Sequence, residues 1–174
     1  MIDEIAQPLR TTTWSCRSVQ LPSETALDLI SDRPNRWNVA GERTIYLSGD
    51  PALALLEAGR HPDDLVAGQI LVEVEVDLPR VIDLRDLDVR AALGLPADNT
   101  WVLERRRTRK LARSHRQAGD IHALIVPSAG ALDQPDRWNV VIFAADRDRI
   151  ARIVSRPRVV GQVLVGRIDH REVA

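Results

Sequence analysis

Between Gln69 and Leu78 the chain reads Q-I-L-V-E-V-E-V-D-L, an almost unbroken alternation whose period of two predicts a half-buried β-strand. Ile70, Val72, Val74, Val76 and Leu78 fall on the face expected to meet the core. Glu73, Glu75 and Asp77 fall on the other, so these acids read as a solvated strand face rather than as catalysts. A further short strand is expected at Arg80 to Leu84. Ile121 to Val126 (I-H-A-L-I-V) is a mostly apolar run emptying into Pro127-Ser128-Ala129-Gly130, the pattern of a buried strand that ends in a loop. Trp138 to Ala144 predicts one more apolar strand. Thr44 to Leu47 predicts a short one, with Ile45 and Leu47 on one face and Tyr46 on the other, beside Thr44 and Ser48.

Helical signals separate these strands. Asp50 followed by Pro51 is an N-cap followed by a residue that lacks an amide donor, so a helix is expected to open there. Ala52, Leu53, Leu55 and Leu56 make it largely apolar and predict that it presses on the body of the protein, with Glu57 two turns in. Gly59 to Asp64 should end it. Asp88 to Leu93 predicts a short helix stopped by Gly94, and Asn99 to Gln117 the longest helix, capped by Asp98 or Asn99 and stopped by Gly119. Residues 1–35 read as an irregular wrap punctuated by Pro8, Pro22 and Pro34, with a short capped helix at Ser23 to Ile30. Residues 36–145 form the expected core, and the tail, 146–174, predicts a helix at Asp146 to Ile153 and an edge strand at Gln162 to Ile168. Together the elements predict an α+β fold, with mixed central β-sheets flanked by helices, in one domain spanning 1–174.

Composition narrows the chemistry. At 174 residues, 44% hydrophobic and 28% charged, with net charge -1, the chain can bury a core and shows no general attraction to nucleic acid. Its single cysteine, Cys16, excludes an intramolecular disulfide and any cysteine-rich zinc site. The start, M-I-D-E-I-A-Q-P-L-R, lacks the basic and apolar regions of a signal peptide, and no stretch approaches the roughly 18 apolar residues of a membrane span. A soluble, unprocessed, cytoplasmic protein is expected. The four histidines, His61, His115, His122 and His170, sit in separate elements without ligand spacing, so no metal is expected. G-x-G-x-x-G, G-x-x-x-x-G-K-[ST], H-E-x-x-H and G-x-S-x-G are all absent, which weakens dinucleotide-fold, P-loop, zincin and ordinary serine-hydrolase readings. The helix over 99–117 is densely basic, with Arg105, Arg106, Arg107, Arg109, Lys110, Arg113 and Arg116. Its plain reading is a solvated face; the sharper one is a docking surface for an acidic partner or a phosphate-bearing ligand. Arg10 and Arg17 read as solvated.

The remaining candidate set is Arg36, Tyr46, Glu57 and Ser128, a single carboxylate without a histidine base. That suits cleavage of an N-glycosidic bond, which passes through an oxocarbenium-like centre. The enzyme then needs a negative group near the ribose, aromatic or polar contacts for the leaving base and a cation for phosphates.

The segments R-W-N at 36–38, I-Y-L-S-G-D-P-A-L-A-L-L-E at 45–57, I-L-V-E-V-E-V, and I-V-P-S-A followed by an asparagine before an apolar strand resemble the RES domain family. That family is named for an arginine, a glutamate and a serine, here Arg36, Glu57 and Ser128. The resemblance implies a toxin of a bacterial toxin–antitoxin pair, a fold similar to ADP-ribosyltransferases and diphtheria-type toxins, and NAD as substrate, degraded by hydrolysis or phosphorolysis or used to modify a protein. It implies an Xre-type helix-turn-helix antitoxin as partner. By the same carry-over Arg36 binds the NAD phosphates or ribose, Tyr46 packs on the nicotinamide side, and Glu57 stabilises the ribosyl cation. Ser128 orients the nicotinamide ribose or its amide, and Asn139 supports the pocket. The chain departs from the family in carrying Pro34-Asn35 where glycines are usual before R-W-N. A family arginine nearer the N-terminus aligns with Arg10 or Arg17. Water, phosphate and a protein side chain remain open as acceptors. A non-catalytic module that binds through the basic helix is the contrasting reading, and the basic helix and edge strand are candidate surfaces for a homo-oligomer.

Overall fold

The alternating segment becomes β4 (Gln69–Asp83), the spine of a computed structural model that describes residues 2–18, 29–58, 69–134, 136–144 and 158–163. β4 runs straight through Pro79 rather than breaking into the two strands expected. Its partner β1 (Ala6–Ser18) explains how: the register steps from Leu9↔Leu78 to Gln7↔Val81, so β4 carries one extra residue opposite Pro8. A bulge there lets two prolines drop out of the hydrogen-bond ladder without ending it. It also reverses the faces. Ile70, Val72, Val74, Val76 and Leu78 point to one core with Val81, while Ile82 and Leu84 point to another.

β1 is itself a correction, because residues 6–18 were expected to be irregular. Following a short helix, α1 (Ile2–Ile5), it pairs with β4 from Ala6↔Ile82 to Ser18↔Gln69 and touches β3 (Thr44–Ser48) at Trp14↔Ser48. β3 pairs antiparallel with β6 (Trp138–Phe143), β6 with β5 (Ala123–Pro127), and β5 runs parallel to the end of β4. The sheet therefore closes on itself as β1-β3-β6-β5-β4, and a single closed sheet replaces the several sheets expected. β2 (Ile30–Ser31) adds to β3, and β7 (Arg158–Val163) pairs with the first half of β4.

Closure makes two cores. Inside, Ile45, Leu47, Val140, Ile142, Ala123 and Ile125 meet the inward residues of β4. Outside, Leu124, Val126, Val141 and Phe143 are covered by α3 (Leu87–Ala92), a 3-10 helix (Asn99–Leu103) and α4 (Arg105–Ala118). The long helix predicted over 99–117 is thus two elements. Trp101 and Val102 bury themselves in a 3-10 turn capped by Asp98, and Glu104, at ψ 86, leaves helical geometry before α4 begins. Gly119 ends α4 at φ 79, the left-handed geometry expected of a C-terminal glycine.

α2 (Pro51–Ala58) opens as predicted, with Asp50 Oδ1 accepting from the Leu53 N–H at 2.8 Å. It lies against β1, β3 and β4, burying Leu53 and Ala54 but leaving Ala52 and Leu56 exposed, so its apolar face is narrower than expected. Most of the helix expected at Ser23 to Ile30, the end of α2 at Gly59 to Asp64, the helix at Asp146 to Ile153, and His61 and His170 lie outside the described residues. Of the edge strand expected at Gln162 to Ile168, β7 contains the first two positions and begins earlier, at Arg158.

Two packing details carry predictions. A Cβ at Gly49 would collide with the Trp138 ring, 2.7 Å from Cδ2 and 2.8 Å from Cζ2. Gly49→Ala should therefore lower stability by about 1–3 kcal/mol, as overpacking does, and an unchanged urea midpoint would contradict this contact. His115 on α4 is buried with neither ring nitrogen hydrogen-bonded among the described residues. Burial holds its pKa below the ordinary 6.5, with Asp120 pulling the other way. A group with a depressed folded-state pKa lends full stability above its unfolded value and loses it as pH falls through the folded one. The urea midpoint should therefore drop as pH falls below the ordinary histidine value, and His115→Leu should flatten that part of the profile; an equal slope in the variant would exclude this origin.

Candidate active site

Strand register gathers polar side chains at one end of the sheet. Ser48, the last residue of β3, pairs with Asn139 on β6, and Asn139 pairs with Val126 on β5, two residues before Ser128. Ser48 and Asn139 so stand side by side on the face that also carries Tyr46 and Val141, with Ser128 just past the end of β5 at the same end of the sheet. α2 brings Glu57 to this row. Ser128 Oγ donates to Glu57 Oε1 at 2.6 Å, and Asn139 Nδ2 donates to the same oxygen at 3.3 Å. Behind them the Gly130 N–H donates to Ser128 Oγ at 3.0 Å, and Ser48 Oγ donates to Asn139 Oδ1 at 2.9 Å.

The direction of every bond follows from the carboxylate. An ionised glutamate only accepts, so Ser128 must turn its hydroxyl hydrogen and Asn139 its amide nitrogen toward Glu57. Asn139 Oδ1 then faces Ser48, which must donate. Glu57 is half-buried, and its Oε2 meets no donor among the described residues, whereas Ser128 is fully buried and Ser48 nearly so. The strand end is braced from behind. The Gly49 N–H donates to the Trp138 carbonyl at 2.9 Å, and the Arg85 guanidinium lies over the Trp138 ring at 4.9 Å while Asp83 grips it at 2.7 Å.

Arg36 and Tyr46 are organised by the loop between β2 and β3. Asn38, completely buried, donates through Nδ2 to the carbonyls of Arg33, Val39 and Glu42, and its Oδ1 accepts from the Tyr46 hydroxyl at 2.6 Å. Burial raises the Tyr46 pKa well above its ordinary value, so the phenol stays a donor. Arg36 donates to the Val102 carbonyl at 2.7 Å, and Thr108 on α4 donates to the Arg36 carbonyl at 2.7 Å. Trp37 packs edge-on against Trp101, with ring centroids 5.9 Å apart.

α4 holds the same loop with its cations. Arg109 donates to the Asn35 carbonyl, Arg113 to the Glu42 carboxylate, and Arg116 to the Arg43 carbonyl and the Thr44 hydroxyl while stacking on Phe143 at 4.7 Å. Burial opposes ionisation of Glu42, but the Val39 N–H and Arg113 hold its carboxyl below the ordinary value. Much of the basic face is therefore anchoring, and Arg105, Arg106 and Lys110 remain exposed. Arg10 sits on the surface near Asp77, at 4.0 Å. Among the described residues no group of three or more His, Cys, Asp or Glu side chains converges as a metal site.

A family model for the RES domain matches residues 11–161 of the 174-residue chain. The chain belongs to the RES domain family. No curated protein matches its sequence. Among solved structures, a chain in the crystal structure of the M. tuberculosis MbcT–MbcA toxin–antitoxin complex is similar in fold. The two share 19% identity with a TM-score of 0.68, over 93% of this chain and 88% of that one.

In this RES domain, Glu57, Ser128 and Asn139 come together as one hydrogen-bonded group. Tyr46 stands one pleat away on the same strand face, about 7 Å along the chain from Ser48. Arg36 joins Tyr46 through the Asn38 loop. Two contributors carry no assigned role from sequence reasoning. Ser48 was visible only as a neighbour of Tyr46 in the strand period, and Asn38 only as the third letter of R-W-N; in each case the bonding partner is distant or buried. Tyr46→Phe would leave the buried Asn38 Oδ1 without its donor and should cost about 1–3 kcal/mol. Chemical denaturation of the variant checks this, and an undiminished midpoint would remove Tyr46 as the anchor of the loop.

Proposed function

We propose that this RES domain is the toxin of a bacterial toxin–antitoxin pair and consumes NAD by cleaving the nicotinamide–ribose bond. The observation that carries the reading is the divided carboxylate of Glu57. Oε1 is held by Ser128 and Asn139, and Oε2 is left without a donor among the described residues. A carboxylate anchored on one oxygen can present the other to the ribose hydroxyls with little reorganisation, which is how a cation developing at the anomeric carbon is stabilised. In the step proposed, the bond from the ribose C1′ to nicotinamide breaks, nicotinamide leaves with the electron pair, and an acceptor oxygen bonds to C1′, a water acceptor releasing its extra proton to solvent. Glu57 stabilises the intervening charge. Ser128 orients the ribose or the nicotinamide amide, Asn139 supports the pocket, Tyr46 packs on the nicotinamide side, and Arg36 binds the phosphates or ribose.

Family membership and the fold shared with a chain of a toxin–antitoxin complex support this reading. It carries with it an architecture related to the ADP-ribosyltransferase and diphtheria-toxin fold, an Xre-type helix-turn-helix antitoxin as partner and action in the cytoplasm. No described helix is long and apolar enough to cross a membrane. Transfer of ADP-ribose to a protein differs only in the acceptor. A binding module working through α4 would need the basic face free, and several of its arginines are occupied by the loop before β3.

The test is nicotinamide release from NAD by purified protein, with and without phosphate, beside Glu57→Gln. Glutamine keeps an acceptor for Ser128, so the variant should melt like wild type while release falls at least about 100-fold, the scale of losing a preorganised charge. Toxicity in cells should disappear with it. A Glu57→Gln protein that is harmless yet still releases nicotinamide would defeat the proposal. Phosphate-dependent release would mark phosphorolysis; no release in either buffer would turn attention to a protein acceptor.

A further inference from the structure

Ser48 lies behind Asn139, with the amide between it and Glu57. We infer that Ser48 is a positioning residue of the site: the carboxylate sets which end of the Asn139 amide faces it, and Ser48 holds that amide in the place from which Nδ2 reaches Glu57. The inference rests on the reading of Glu57 as the catalytic carboxylate.

An asparagine amide is nearly symmetric in shape, and rotation by half a turn exchanges its oxygen for its nitrogen. Beside Glu57 the two orientations are not equivalent. With Nδ2 forward the amide donates to Oε1, as observed at 3.3 Å; with Oδ1 forward two acceptors would face each other. The 3.3 Å bond is long and holds the amide only weakly by itself. The stronger restraint lies on the other side, where Ser48 Oγ donates to Oδ1 at 2.9 Å. Ser48 can supply that proton because it sits opposite Asn139 in the β3–β6 ladder and is almost fully buried, away from competing water. Its backbone is fixed as well, since it is also the β3 residue that meets Trp14 of β1 and it precedes Gly49, whose N–H is bonded to Trp138. Ser48 does not touch the carboxylate; its effect passes through Asn139.

Ser48→Ala removes the donor and leaves the Asn139 amide held, among the described residues, by its long bond to Glu57 alone. Nicotinamide release should fall about tenfold in kcat, the scale of one broken buried hydrogen bond, with KM nearly unchanged. Ser48→Thr, which keeps the hydroxyl, should restore most of the rate. In an Asn139→Ala background Ser48→Ala should cost nothing further, because the residue it acts through is gone. An equal loss in both backgrounds would overturn the inference and leave Ser48 with a structural role or a contact of its own. An activity-free readout separates this from failure of the functional reading: the Asn139 side-chain amide protons, followed by nitrogen-edited NMR, should shift and exchange faster in Ser48→Ala. If wild-type protein releases no nicotinamide, that spectrum still decides, and unchanged Asn139 amide signals would refute the positioning role.

Discussion

A half-buried carboxylate holds its place only where donors meet it, and Glu57 meets two on one oxygen because three strands are in register. Ser48↔Asn139 and Asn139↔Val126 are backbone pairings, yet they decide the side-chain chemistry. A slip of one residue in β6 would turn Asn139 to the opposite face and put an apolar neighbour before Glu57. Gly49 and Trp138 guard against that slip. The missing Cβ lets the indole lie against the backbone immediately beyond Ser48, and Arg85, gripped by Asp83, covers the ring.

Sheet closure makes such register possible over so short a strand. β3 has five residues and touches β1 at one position, Trp14↔Ser48, which is the residue that begins the polar row. β1 in turn is held along its length by β4. The row thus stands where the ring closes, on a backbone restrained from both neighbours. The interior apolar cluster supplies the cohesion, and the outer cluster fixes the helices that support the Arg36 loop.

That loop is held by an arrangement in which charge serves geometry. Asn38 shares the two hydrogens of its amide among three carbonyls, and α4 arginines reach across to others. Loop carbonyls outside a strand ladder take donors from side chains, and guanidinium groups supply several in fixed directions. A helix that reads as a basic docking face is therefore in large part a clamp on the chain, and the segment bearing Arg36 and Tyr46 owes its shape to side chains far away in sequence.

The inner face of β4, the cap of α2, the short helix α3 before Gly94, the turn at Gly119 and the short strands at 44–47, 121–126 and 138–144 follow from period, capping and turn chemistry, which act within a few residues and so are visible in order along the chain. Glu57 and Ser128 stood out by residue type and setting, and family resemblance set them in one site. Other features belong to contacts between distant segments. Residues 6–18 lack a clean alternation of their own, and β4 draws them into a strand. Pro79 reads as a break until Pro8 is seen across from it. A uniform helical pattern at 99–117 gives way at Glu104 because Trp101 and Val102 are buried first, and Ser48 acquires meaning only when β6 places Asn139 opposite it. Local sequence determined most of the core strands and helices and the residue types that could carry chemistry; pairing across the closed sheet decided β1, the course of β4 and which side chains meet, because hydrogen bonds and burial depend on neighbours in space rather than on neighbours in the chain.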